Sequence, residues 1–465
     1  MKRASKSEPM SRRERRSVAS LGSIFLLRMF GLFLLLPVLA VHTQQYPNAT
    51  PFYVGLALGI YGLTQALLQI PYGMASDRLG RKKVIAFGLL VFMIGSIVAA
   101  LSDNLLELLI GRALQGAGAI SSAVLALTAD LTREQQRTKS MAIIGISIGF
   151  AFLLSLIMAP ILQAMIGVKG IFWMIAVLSV FAILILYKVV PNPTRASRHQ
   201  DILPMPQKFA AVFANQQLLR LDIGIFSLHL ILTALFVVTP MLLIERLGVN
   251  LSDHWKLYLP ILFASAIGML PFIRLGSKSG QEFRAFKMAI LLLVVALSGL
   301  TVAVQGHNWF IFVFLVIFFS AFNALESMLP SLVSRIAPAT MKGTAIGVYN
   351  CFQFFGMFVG GVVAGTLYGR FGALSVYIFC GGVAFLWFLV ALTTDQTRLF
   401  INKIVSIADF SDSQRDQLID RIKDLKGLEE IVVAVGETTA YLTVDPQTFD
   451  EAELEQMLLK QSENQ

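Results

Sequence analysis

The chain has 465 residues, 56% of them hydrophobic and only 14% charged, with a mean hydropathy of +0.71 and a net charge of +10. So much apolar side chain excludes a single water-surrounded domain and makes lipid the expected solvent. The charge is divided: residues 395–465 hold 15 of the 28 acids and 7 of the 38 bases, and the basic excess elsewhere lies in short loops, a pattern that orients a membrane protein and excludes nucleic-acid binding.

Lys2, Arg3, Lys6, Arg12, Arg13, Arg15 and Arg16 precede a first apolar segment at 17–42. This start has the charge pattern of a secretory leader, but the run continues through Arg28 to about His42 without a small-residue cleavage site, so it reads as a retained first helix. Eleven more segments of bilayer length follow at 52–76, 83–101, 104–131, 138–166, 170–190, 219–244, 253–275, 283–304, 308–335, 342–368 and 372–394. An even number of crossings puts both termini on one side. Alternate connections carry Arg78, Arg81, Lys82 and Lys83, then Arg133, Arg137 and Lys139, then Lys188, Arg195, Arg198 and Lys208, then Arg274, Lys278, Arg284 and Lys287, and finally Arg335 and Lys342. The opposite connections have only Lys169, Arg246, Lys256 and Arg370, so both termini are expected in the cytoplasm.

The longest connection, 191–218, carries four prolines among polar residues and reads as a linker between two six-helix halves. Lys139-Ser140-Met141-Ala142-Ile143 at the start of segment 5 parallels Lys342-Gly343-Thr344-Ala345-Ile346 at the start of segment 11, as parallel repeats require. The expected division is 1–190 for the first half, 219–394 for the second and 395–465 for a terminal unit. That unit predicts a strand at 398–407, a helix at 411–426 stopped by Gly427, a hairpin around residues 436–439 and a helix at 450–460. Cys351 and Cys380 both lie in apolar runs, where small buried hydrophobes are expected; no metal site, cofactor or ATP-binding loop is expected, nor any nucleophile and base that would make an enzyme.

After segment 2 stands Gly73-Met74-Ala75-Ser76-Asp77-Arg78-Leu79-Gly80-Arg81-Lys82-Lys83, and segment 4 contains Arg112-Ala113-Leu114-Gln115-Gly116. With the six-plus-six topology, these motifs resemble the major facilitator superfamily, in particular its drug/proton antiporter group, and the terminal unit resembles a ferredoxin-like α+β domain. Segment 5 keeps Gly145, Gly149 and Ala159-Pro160 of the antiporter pattern but has Gln163-Ala164 where two glycines are expected. The resemblance implies an all-α polytopic fold of two pseudo-symmetric halves, working in the bacterial inner membrane by alternating access, with a small-molecule substrate and protons as a coupling ion. It further implies a conformational switch of Gly73, Asp77, Arg78, Gly80, Arg81, Asp130, Gly343 and Thr344. Asp77 would sit beneath the positive N-terminal end of segment 11, and Arg81 with Asp130 would hold the loop.

Ionisable and polar groups inside the segments are the remaining candidates, because a charge in hydrocarbon is costly and needs a cavity or a partner. Arg28 and Arg112 read either as walls of a central cavity favouring an anionic or polar solute or as packing supports. Glu326 reads as a proton or cation site or as an interfacial partner of Arg335, and His229 as a titrating group or a packing residue. Tyr61, Gln65, Gln69, Gln115, Asn350 and Gln353 complete the candidate cavity. The acidic terminal unit leaves several roles open: docking on the basic loops, self-association, or relaying ligand occupancy in a transporter-derived sensor.

Overall fold

The structure, a computed structural model, describes residues 9–192, 205–278, 280–337, 341–393, 401–406, 412–433, 439–444 and 448–463. Lys2, Arg3, Lys6, Arg195, Arg198 and the expected turn at 436–438 lie outside the described residues. A capping box of Ser11 and Glu14 starts α1 (Arg12–Phe33). The first pass ends in α2 (Leu36–Thr43), set off by the backbone break that precedes Pro37. The first half continues with α3 (Pro51–Leu79), α4 (Arg81–Leu101), α5 (Leu105–Ala117), α6 (Ser121–Asp130) and α7 (Glu134–Lys188).

By length and apolarity eleven helices among the described residues can cross a membrane, one fewer than the segments predicted. The difference is α7, whose apolar stretch Lys139–Lys188 has 50 residues. As one rod it would measure about 75 Å, more than twice the roughly 30 Å hydrocarbon layer. Gly167, at φ 70° and ψ 172°, breaks it into two passes, a geometry that residues with a Cβ rarely adopt. The described residues therefore make twelve passes.

Part of the expected linker is helical: α8 (Met205–Ala214) lies within it and is separated by Asn215 from α9 (Gln216–Glu245). The Asn215 side chain caps α9 by accepting from the amides of Gln217 and Leu218. Next come α10 (His254–Gly268), α11 (Leu270–Gly276), α12 (Glu282–Ala303), α13 (Asn308–Ile336), α14 (Lys342–Phe371) and α15 (Ala373–Leu392). Helix α9 is largely apolar, with Asp222 and His229 as exceptions on one face, and almost wholly buried from Leu218 to Leu243, as a central helix should be.

Helix α14 is wedged between α3 and α9, and glycines allow it. On one face, a Cβ at Gly59 of α3 would lie 2.8 Å from the Phe358 carbonyl oxygen, and Gly55 meets Gly361 and Gly365 backbone to backbone. On the other, Gly356 and Gly360 rest against the carbonyls of Phe226 and Leu230 of α9.

After the passes come β1 (Ile401–Ser406), α16 (Asp412–Lys423), β2 (Leu428–Val433), β3 (Thr439–Val444) and α17 (Glu451–Glu463). The sheet is antiparallel in the order β1-β3-β2. Leu418, Ile422, Leu442 and Leu454 form its small apolar core.

Candidate functional site

The motif loop joins α3 to α4 at Gly80, whose φ of 97° suits glycine. Arg81, one residue on, donates from Nε to Asp130 Oδ2 at 3.0 Å and from Nη1 to Ser76 Oγ at 2.7 Å, so the expected pair of Arg81 with Asp130 is present. Arg78 and Gly80 are exposed, Gly73 abuts Ser122 of α6, and Lys82 donates to the Val190 carbonyl at the end of α7. Asp77 is not where the motif places it. Its side chain is 57% exposed and ion-paired with Arg81, while nothing lies within 4 Å of the position a Cβ would take at Gly343 or Gly347. No hydrogen bond joins Asp77 to Gly343 or Thr344 among the described residues. The reason lies in the packing of α3 on α14: their close contacts, Gly55 with Gly361, Gly59 with Phe358 and Gly62 with Phe354, fall toward the end remote from the loop. At that remote end α2 also packs on α9, and α7 on α10 and on the turn Leu251–Asp253. The halves meet there, while the first turn of α14 is open around Gly343 and Gly347 at the loop end, so the carboxylate takes the nearest cation in its own half.

Six candidates form two networks inside the first half. Arg28 donates from Nη2 to Gln65 Oε1 at 2.7 Å and to the Gly118 carbonyl at 2.8 Å, the latter freed by the break between α5 and α6. Gln65 accepts also from the Tyr61 hydroxyl and donates to Gln69 Oε1 at 2.9 Å. Arg112 donates to the Ala57 carbonyl at 3.1 Å and to Gln115 Oε1 at 2.7 Å, and Gln115 passes the chain to Ser96. The guanidinium of Arg28 lies 5.5 Å over the Phe92 ring and that of Arg112 5.2 Å over Tyr61, so aromatic faces share in holding both charges. Arg28 is 2% exposed, Arg112 1%, and Tyr61, Gln65, Gln69 and Gln115 are wholly buried. In this state these residues are packed within the first bundle and closed to solvent. Amides and carbonyls compensate both buried cations, with no carboxylate bonded to either among the described residues.

The second half brings three candidates together from three helices. Gln353 of α14 donates to His229 Nε2 of α9 at 2.8 Å and lies 3.5 Å from Glu326 Oε1 of α13. With an amide as donor, the imidazole Nε2 accepts. Glu326 Oε2 stands 3.8 Å from the same nitrogen, its side chain 36% accessible although it lies deep in α13. Glu326 does not pair with Arg335, as one reading had it, because Arg335 is engaged by Glu282 at 3.1 Å. Phe322 flanks the imidazole at 6.0 Å and meets Phe152 of the other half at 5.8 Å, so the cluster lies on the seam between the halves. Asn350 is half-buried nearby with no side-chain hydrogen bond among the described residues.

Sequence reading passed over Asp222. This carboxylate, early in α9, is 2% exposed, and its Oδ1 has no hydrogen-bond partner among the described residues. It lies within electrostatic reach of Cys351 and Tyr349 of α14, and Tyr349 is also in reach of Glu326. The signal was available: Asp222 precedes His229 by seven residues, two turns on the same helix face.

Comparison with known proteins agrees with this architecture. Residues 21–361 and 262–399 match the family described as Major Facilitator Superfamily. The chain is 38% identical over 445 residues to the inner membrane transport protein YajR of Escherichia coli (strain K12), covering 96% of this chain and 97% of that one. It is 24% identical over 398 residues to the quinolone resistance protein NorA of Staphylococcus aureus (strain MSSA476), covering 81% and 95%. Among solved structures, a bacterial homolog of the human lysosomal transporter Spinster, inward-facing and occupied, superposes with a TM-score of 0.66 at 14% identity over 83% of this chain and 98% of that one.

Proposed function

The chain belongs to the major facilitator superfamily of membrane transporters, which are not enzymes, and from that membership we propose that it exports a small molecule by alternating access in exchange for protons. One observation carries the coupling: Glu326 is an intramembrane carboxylate on the seam, with an imidazole and an amide beside it and its natural cation, Arg335, committed elsewhere. An uncompensated carboxylate in a low-dielectric site is costly. Its charge is balanced either by a proton, which His229 can hand on, or by a cationic group of the solute. Mutually exclusive occupancy of one carboxylate is the simplest form of antiport. Asp222 supplies a second acid on the same face of α9, nearer the loop end. Similarity to a protein named for quinolone resistance supports the outward direction.

The same reading gives Asp77 two partners in turn. Open at the loop end it pairs with Arg81; closed there it moves beneath the first turn of α14, beside Gly343 and Thr344. The basic loops support a cytoplasmic position for that end and for both termini.

The test uses purified protein in proteoliposomes loaded with a cationic fluorescent dye, ethidium, under an imposed pH gradient. Wild type moves dye in response to the gradient. Glu326→Gln, which fixes the site in its neutral form, is expected to lose that response and, with the carboxylate that holds the cation, most of the dye exchange seen without a gradient. A fully wild-type pH response in Glu326→Gln refutes the coupling assignment.

A further inference from the structure

Where α15 finishes, Met288 and Leu291 of α12 and Phe388 and Leu392 of α15 line a groove of about 230 Å³ whose rim carries Arg284 and Lys287. We propose that this groove is a binding site for an anionic glycerophospholipid, with its phosphate on the two bases and its acyl chains along the two helices.

The groove faces outward. Met288 is 46% exposed, Leu291 45% and Leu392 51%, and on a membrane-spanning bundle such apolar side chains meet acyl chains and not water. The exposed stripe continues through Val295 on α12 and Phe385 on α15. From Arg284 to Val295 the helix rises about 16 Å, a path comparable with an extended acyl chain.

The charge is placed at the headgroup level. Lys287 donates to the Leu392 carbonyl at 3.4 Å, and Arg220 from α9 donates to the Thr393 carbonyl at 3.1 Å, so bases from two neighbouring helices converge on the end of α15. Carbonyl oxygens take up donors but cancel no net charge. Arg284 is exposed and has no ion pair among the described residues. The nearest acid in sequence, Glu282, is buried and committed to Arg335. A phosphodiester accepts two parallel N–H bonds from a guanidinium and a third from an ammonium. A zwitterionic headgroup brings its own cation into the same space and is disfavoured. Basic pockets between spanning helices on the positive side are the general form of such sites.

The experiment uses the full-length protein in non-ionic detergent, titrated with phosphatidylglycerol or phosphatidylcholine, with bound lipid read by native mass spectrometry. Wild type is expected to retain phosphatidylglycerol in preference to phosphatidylcholine. Each base near an anionic lipid is worth a factor of about five, so Arg284→Gln/Lys287→Gln is expected to lose roughly tenfold or more of that preference. Arg284→Gln alone should lose part of it, the charge-conserving Arg284→Lys/Lys287→Arg should keep most of it, and Lys256→Gln at the opposite end should change nothing. Equal retention of the two lipids by wild type, or an unaltered preference in the double variant, overturns the proposal.

Discussion

Substitution of Gly59 by alanine tests whether the contact between α3 and α14 decides which side is open. The added Cβ would lie 2.8 Å from the Phe358 carbonyl oxygen, 3.1 Å from Phe358 Cα and 3.4 Å from the Met357 carbonyl oxygen. All three are backbone atoms, so no side-chain rotation relieves the overlap, and the helices must part by a few tenths of an ångström. Overpacking of this kind costs about 1–3 kcal/mol. The cost falls on the state closed at this end, because the alternate state separates the same surfaces, so populations shift by about 5- to 150-fold toward the form open at the remote end. Spin labels on Arg78→Cys and Gly343→Cys, with Cys351 and Cys380 replaced, report the gap at the loop end by double electron–electron resonance. Gly59→Ala is expected to enrich the short distance. Gly145→Ala, where nothing lies within 4 Å of the added atom, serves as the control and should leave the distribution unchanged. An unaltered distribution in Gly59→Ala would show that this contact does not hold the gate.

Asp77→Asn removes an exposed pair with Arg81 in the open form and a helix-end contact in the closed one. The pair is worth about 0.3–0.5 kcal/mol and the helix-end contact, partly buried once the loop end closes, up to about 2 kcal/mol, so the same labels should show a shift toward the open form of up to roughly tenfold, and a shift the other way would contradict the proposed exchange of partners. Gln65→Leu takes an acceptor from Arg28, whose Nε and Nη1 already lack partners among the described residues. Arg28 keeps the Gly118 carbonyl and the Phe92 ring, so loss of this one buried acceptor costs about 1–3 kcal/mol, which thermal unfolding will register. Arg28→Met/Gln65→Leu removes cation and acceptor together and should be more stable than Gln65→Leu alone; a double variant no better than the single one would argue that Arg28 is well solvated.

The passes were legible because lipid imposes a length and an apolarity that few residues can violate. Even the joint between segments 5 and 6, where Gly167 breaks α7 without an intervening loop, was marked by Lys169. The pair of Arg81 with Asp130 was legible because the motif carries it. The partners of Arg28 were not: Gln65 and Gly118 lie 37 and 90 residues away, and an amide or a carbonyl carries no charge signature that would nominate it. Glu326 could be found as an acid in an apolar run, but whether it met Arg335 or His229 depended on helix rotation, which periodicity leaves open. Asp222 escaped because it lies close to the start of segment 7, beside Arg220, where charge is ordinary at a membrane surface.

The open side was the least legible feature, and the reason bears on how the gate works. Closure at the remote end rests on backbone-to-backbone contact between glycine stripes, a short-range attraction that fails within an ångström of separation. At the loop end the groups available for closure are charges and a helix terminus, which act over a longer range. Arg81 is held by Asp130 and Ser76 whether or not Asp77 stays with it, so the loop keeps its anchor while the carboxylate changes partner. On the proposed cycle the two gates are thus close in energy, and neither dominates unless something biases it. A bias of a few kcal/mol suffices to invert such an equilibrium, and occupancy of Glu326 by a proton or by a cationic solute, on the seam where Phe152 of one half meets Phe322 of the other, supplies a change of that size at the place where both halves feel it.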